Sequence, residues 1–394
     1  MLKLNSSMAR ASRVGFAGLA VAALAIGGCI LTRMPCGQPT DRQSHPALAA
    51  RLESLRAAHN LPALGAAIIR PNGAVEVAAV GWREAGAASC VSPDDRFHLG
   101  SCGKAMTATM LAALVEEGRL NWGSRLGEVF SDLAPGMHPA FREVTLLQLL
   151  THRAGLPDDR EDSATQDRLD AAGGTLTEKR LAMLRARTAV APVSAPGTEY
   201  RYSNAGYEIA GAMAERVTGQ TYEDLMRARV FGPLGMSSAG FGAPGRPDLI
   251  DQPHGHRTVL GAIVPVRPGP AADNPAFTAP SGGMHCNLSD WATFAAAHLA
   301  GARGTSGLLA AETFVTLHTP TGDYACGWQV AQMAPFGRAL IHDGGNTMWY
   351  AVIYVLPEVD AAVMLATNRG DEASAWKVVD MIDTLALEIV QAAD

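Results

Sequence analysis

The chain has 394 residues, 48% hydrophobic and 18% charged, with a formal net charge of −6. That is too long and too apolar for a disordered tail or a disulfide-stapled miniprotein, and it implies a sizeable buried core in one large domain or two ordinary ones. With 32 Lys+Arg against 38 Asp+Glu there is no basic excess of the kind that holds phosphate backbones, which excludes nucleic acid as a partner.

Residues 1–28 carry Lys3, Arg10 and Arg13 and no acidic residue, then an apolar stretch from Val14 to Ile26, then Gly27-Gly28 before Cys29. A positive, a short apolar and a small-residue segment in that order describe a secretory signal. Ile26-Gly27-Gly28-Cys29 resembles a bacterial lipobox, which implies that Cys29 becomes the lipidated first residue of a chain tethered to a membrane and facing the periplasm. No later apolar run approaches the roughly 20 residues that cross a bilayer, so the rest is expected to be soluble.

After a linker over residues 29–45, Leu48, Leu52 and Leu55 share a face and predict a helix over Ala47–Ala58. Leu64–Ile69 and Val75–Val80 are strand-like runs separated by a loop containing Asn72-Gly73, a hairpin signal that predicts an antiparallel pair. From about 126 to 265 the chain reads as an all-helical insertion, with His254 and His256 in a loop. Strands return at Arg338–Ile341, Trp349–Leu356 and Ala361–Thr367, and Val378, Ile382, Leu385 and Ile389 predict a final helix over Ala373–Ala393. The expected fold class is therefore α/β (α+β): an antiparallel sheet built from both chain ends, flanked by helices, within a domain over 46–394.

Three segments carry chemistry. Ser101 begins a helical pattern in which Lys104, three residues on, shares its face, so the amine can reach the hydroxyl. Serine is a poor nucleophile without a base, and a lysine whose pKa is lowered can be that base. Further on, Tyr202 and Asn204 stand two apart just before a helix and can project to one side of a cleft. Near the C-terminus the strand from Arg338 runs into His342-Asp343-Gly344-Gly345.

Ser101-x-x-Lys104, Tyr202-Ser203-Asn204 and His342-Asp343-Gly344, in that order, resemble the motifs of the serine β-lactamase and penicillin-binding-protein superfamily, especially its branch of class C β-lactamases, D-alanyl-D-alanine carboxypeptidases and esterases. Thr145–Pro157, Phe231–Met236 and Tyr324–Trp328 are similar to stretches of that branch, so the resemblance runs from about residue 45 to the C-terminus. It implies an acyl-enzyme mechanism with no metal or organic cofactor. It makes Ser101 the nucleophile, Lys104 its base, Tyr202 the proton carrier and Asn204 a substrate ligand, with an oxyanion hole at the N–H groups of Ser101 and Gly345.

Departures from the pattern bear on the substrate. His342 replaces a fixed cation, and Asp343 stands where the family places a hydroxyl that holds a substrate carboxylate. An Asp343 aimed into the cleft would repel that carboxylate and favour esters or amine-bearing substrates; an Asp343 facing away would leave Arg153 or Arg338 to bind it. Cys102 is either a buried small hydrophobe or a disulfide partner of Cys286 or Cys90. His152 and His285 read as structural. The function expected is that of a serine hydrolase acting on a β-lactam, a D-amino-acid peptide or a small ester, against the alternatives of a covalent penicillin sensor with little turnover and a non-catalytic envelope lipoprotein.

Overall fold

A computed structural model describes residues 44–158 and 163–391. The expected signal segment, the lipidation of Cys29 and nearly all of the linker lie outside the described residues.

A helix over Pro46–Ala58 leads into β1 (Ala63–Ile69) and β2 (Val75–Gly81), paired antiparallel around the Asn-Gly turn. Short strands β3 (Phe97–His98), β4 (Gly240–Phe241), β5 (Gly255–Val259), β6 (Ala262–Val266) and β7 (Met284–Cys286) follow, and then β8 (Gln329–Met333), β9 (Gly337–Gly345), β10 (Tyr350–Leu356) and β11 (Ala361–Thr367). The main sheet runs β2-β1-β11-β10-β9-β8 and is antiparallel at every pairing. Leu64 lies opposite Thr367, so the two ends of the chain meet at the centre of the sheet.

Both faces of the sheet are covered. Leu64, Ile68, Val352 and Leu365 pack with Leu48 and Leu52 of the first helix and with Val378, Ile382 and Leu385 of the last, Glu372–Gln391. Ala67, Leu340, Ala351 and Ile353 join the other core, with Met106 and Met110 of the helix Gly103–Glu116 and Trp291 of the helix Leu288–Ala302. Burial on two faces explains why these strands read as unbroken apolar runs rather than as alternating ones. No helix of the described residues is long and apolar enough to cross a membrane.

The segment between the strand-rich ends differs from an all-helical insertion. Its helices include Leu176–Thr188 and Asn204–Thr218, yet β5 and β6 form a hairpin within it. His256 belongs to β5 rather than to a loop, and both histidines are buried structural pins: His254 Nδ1 lies 2.7 Å from Glu84, while His256 bonds the Asn368 carbonyl and accepts the Ala85 N–H. Strand β8 at the sheet edge was not expected, since its residues Gln329–Met333 are neither continuously apolar nor alternating. The disulfide expectation for Cys102 is corrected: Cys102, Cys286 and Cys326 are free and buried, and Cys90 is disulfide-bonded without any of them.

Candidate active site

Ser101 sits in a 3-10 turn, Gly100–Cys102, that runs directly into the helix Gly103–Glu116. Gly100 has φ +51°, a left-handed conformation that glycine adopts without strain. The turn is pressed against the end of β9, where a β-carbon on Gly344 would lie 2.3 Å from the backbone nitrogen of Ser101 and one on Gly100 would lie 2.4 Å from that of Gly345. Only glycines let the two backbones come this close. The contact brings the peptide nitrogens of Ser101 and Gly345, expected to form the oxyanion hole, to one place.

Lys104 is fully buried, one helical turn beyond Ser101. Its Nζ lies 2.9 Å from Ser101 Oγ and donates to Asn204 Oδ1 at 2.6 Å and to the Ser281 carbonyl at 2.5 Å. The last two partners can only accept, so they orient the amine and turn another of its valences, N–H or lone pair, toward Ser101. Tyr202 reaches the same oxygen from the other side, its hydroxyl donating to Ser101 Oγ at 2.8 Å. Its ring also faces the amine, with Lys104 Nζ 4.9 Å from the ring centroid. Ser101, Lys104, Tyr202 and Asn204 thus form one cluster, in which Asn204 contacts the lysine.

His342 lies elsewhere than a substrate-facing cation would. Its side chain is buried, Nε2 is 2.8 Å from the Tyr324 hydroxyl and Nδ1 is 2.6 Å from the Asp343 carbonyl. Burial, with the charge of Lys104 nearby, pushes its pKa down to about 3, so the imidazole is neutral and braces the strand. Successive side chains alternate across β9, so Asp343 leaves on the opposite face, toward the C-terminal helix. There it accepts a hydrogen bond from the Tyr350 hydroxyl at 2.9 Å, and burial raises its pKa.

The two arginines weighed as carboxylate ligands are also placed. Arg153 spends its guanidinium on the carbonyls of Thr198 and Thr321, and Arg338 stands at the other end of β9 from the glycines. Pairing of β9 with β8 stops at Ile341, whereas pairing with β10 continues to Gly345. Beyond Ile341, no described strand covers that edge.

Several supporting residues carried no sequence signal of their own. Ser281 holds the lysine from 177 positions away. Behind the tyrosine, buried His152 lies 4.3 Å from the Tyr202 ring, and its Nδ1 accepts the Ser203 N–H at 3.2 Å. Burial and the charge of Lys104 hold its pKa well below the ordinary histidine value, in keeping with a structural role. His285, also buried, bonds the Gly242 carbonyl at 2.8 Å.

A third set clamps the glycine contact. His98 Nδ1 accepts the Gly100 N–H at 3.2 Å, its Nε2 lies 2.9 Å from Asp273, and Asp273 accepts from Asn346 at 2.9 Å. Asn346, directly after Gly345, accepts in turn from the Met348 and Trp349 N–H groups. Burial disfavours the Asp273 carboxylate, but His98 beside it and the bonds from His98 and Asn346 hold its pKa below the ordinary value.

A family model described as Beta-lactamase matches residues 48–388. Penicillin-binding protein 4 of Amycolatopsis lactamdurans is 28% identical over 333 residues, which cover 81% of this chain and 84% of that protein. The unguisins hydrolase ungD' of Aspergillus campestris is 27% identical over 71% of this chain, which spans 53% of its length. Among solved structures, the D-amino acid amidase of Ochrobactrum anthropi SV3 superposes with a TM-score of 0.69 at 22% identity, over 88% of this chain and 99% of that one, a likeness of fold.

Proposed function

Since the chain belongs to the Beta-lactamase family and is a serine hydrolase of that type, we propose that it cleaves small esters and amides through an acyl-enzyme on Ser101. The observation that carries this is the serine oxygen held 2.9 Å from Lys104 Nζ and 2.8 Å from the Tyr202 hydroxyl.

In acylation, Ser101 Oγ attacks the substrate carbonyl and its proton passes to the Lys104–Tyr202 pair. Charge on the carbonyl oxygen develops against the N–H groups of Ser101 and Gly345, at the positive end of the helix. The Tyr202 hydroxyl then protonates the leaving amine or alcohol. For deacylation the same pair removes a proton from water, which attacks the ester of Ser101, and returns that proton to Ser101 Oγ as the acyl–oxygen bond breaks and the acid leaves.

The surroundings favour acyl donors without a carboxylate over β-lactams and D-alanine-terminated peptides. His342 is neutral and buried, Arg338 is distant, and Arg153 is engaged with carbonyls, so no fixed cation from these three awaits an anionic group at the open edge of β9.

Incubation with a phenyl ester and, separately, a penicillin, followed by intact-mass spectrometry beside a Ser101→Ala control, tests the reading. A transient acyl mass from the ester that is absent from the control is expected. A penicillin adduct that persists would make the protein a covalent sensor instead, and no adduct or turnover with any acyl donor would sink the proposal. The lipid tether at Cys29 belongs to the proposal as well, and the mass of the mature N-terminal peptide from a membrane fraction tests it.

A further inference from the structure

The rings around Tyr202 form one connected cluster, and Tyr200 belongs to it without any part in the proton transfer. The chain at residues 200–203 is pinned to His152 at two points, by the Arg201 N–H on its carbonyl at 2.7 Å and by the Ser203 N–H on its Nδ1 at 3.2 Å. Tyr200 and Tyr202 both meet the His152 ring, the first edge-on at 5.9 Å and the second tilted at 4.3 Å. Tyr200 also packs on Tyr324, with ring centroids 5.7 Å apart. The Tyr324 hydroxyl lies 2.8 Å from His342 Nε2, where the edge of β9 is no longer covered by β8. Tyr200 thus fills the interval between the phenol that touches Ser101 and the strand that carries the Gly345 N–H.

Exposure sets Tyr200 apart from its neighbours. His152, Tyr207 and Tyr324 are buried, whereas Tyr200 is 45% exposed. Partial burial and the charge of Asp343 raise the pKa of its hydroxyl, which places that end of the side chain near β9. A ring left this open forgoes much of the apolar area it could bury, while the rings behind it hold it in one orientation. It is therefore a rigid apolar surface facing water beside the reactive serine. An anion is disfavoured there by the negative face of the ring and by Asp343, and His342 is neutral. A flat uncharged ring, stacked or edge-on, is the group this surface fits.

We propose that Tyr200 is a specificity-determining residue whose exposed ring forms the subsite for the leaving portion of the substrate and takes an uncharged aromatic group there. This names a substrate class for the serine hydrolase reading and rests on it. The side follows from the proton path. Tyr202 protonates the departing oxygen or nitrogen, so the leaving group lies against the row of rings that contains Tyr200, and the acyl portion lies across the carbonyl from it.

Three neutral esters test this: 2-phenylethyl acetate, propyl acetate and propyl 3-phenylpropionate. The first two release alcohols of nearly equal acidity, so their ratio reads the subsite rather than the chemistry. The full chain is expected to hydrolyse 2-phenylethyl acetate with kcat/KM about fivefold or more above propyl acetate. Tyr200→Ala brings that ratio toward one and Tyr200→Phe keeps it; Tyr200→Leu, which retains bulk without a π face, stands in should Tyr200→Ala not fold. A ratio near one in the unaltered chain overturns the proposal. So does a Tyr200→Ala variant that slows both acetates alike, the mark of a structural role, or a preference that appears only with the phenyl group on the acyl side.

Saturation-transfer NMR of 2-phenylethanol on the Ser101→Ala variant, with and without Tyr200→Ala, reads the same surface without turnover. Signal that is lost with Tyr200→Ala is expected, and signal that is absent or unchanged counts against the subsite. Binding through Tyr200 in a chain that hydrolyses none of the esters refutes the hydrolase reading and leaves the aromatic site standing. Hydrolysis without the preference does the reverse.

Discussion

Gly344 and Ser101 touch through their backbones, so tightly that a β-carbon on Gly344 would also lie 2.4 Å from the Leu99 carbonyl oxygen. Neither strand β9 nor the turn at Ser101 can yield without moving the other, because both are tied into the core. Gly344→Ala is therefore expected to lower turnover by about a hundredfold or more, the scale of losing one oxyanion donor. Gly345→Ala, whose added carbon would meet Trp349 O at 3.1 Å, is expected to be milder. Steady-state rates on a neutral ester beside thermal melts check this, and a fully active Gly344→Ala would contradict the proposed oxyanion site.

Lys104 and Tyr202 flank one oxygen and are expected to act as a unit. Lys104→Met and Tyr202→Phe should each lower kcat/KM by about 10²–10⁴-fold, with the double variant scarcely worse than the poorer single one. Simple additivity of the two losses would separate their roles and undo the shared proton path.

Asp273 acts at a distance. Its two oxygens both accept, from His98 and Asn346, so an asparagine there must turn a donor toward a donor. His98 cannot relieve the clash by changing tautomer, because its Nδ1 already accepts from Gly100. Asp273→Asn is thus expected to lower kcat by up to about a hundredfold through displacement of the turn, with KM little changed. A rise in KM at constant kcat would show instead that Asp273 serves binding.

Buried neutral histidines set an acid limit on stability. Burial lowers the pKa of His342 and His318 to about 3 and of His256 and His285 to about 4. In the unfolded chain they titrate near about 6.5, so between there and the folded values the unfolded state binds more protons. Stability is then complete above about pH 6.5 and falls as pH drops toward about 4. Urea unfolding at a series of pH values should show this loss, with a smaller slope for His285→Gln; an unchanged slope would show that His285 takes no part in it.

Burial pushes the Cys102 and Cys286 thiols far above their ordinary range and Cys326 to about 12. Iodoacetamide at mildly alkaline pH should leave all three unlabelled in the native protein and modify them once it is unfolded, while Cys90 reacts only after reduction. Peptide mapping reads this directly, and native labelling of Cys102 would show that the turn at Ser101 opens.

What could be read from sequence was what local periodicity and short spacing encode. The three-residue step from Ser101 to Lys104 brings hydroxyl and amine together on any helical turn, and the β1–β2 hairpin and the final helix follow from an Asn-Gly turn and a four-residue apolar rhythm. Tyr202, Asn204 and the glycines after His342 were recognisable because their motifs follow one another in a familiar order. The pairing of β1 with β11, the carbonyl of Ser281 beneath the lysine and the clamp from His98 through Asp273 to Asn346 join positions tens to hundreds of residues apart, and no local pattern announces them. The same holds for His342 and Asp343. They are adjacent in sequence, but alternation along β9 sends one under the active site to be buried and neutral and the other toward the C-terminal helix, and only packing on both faces decides which is which.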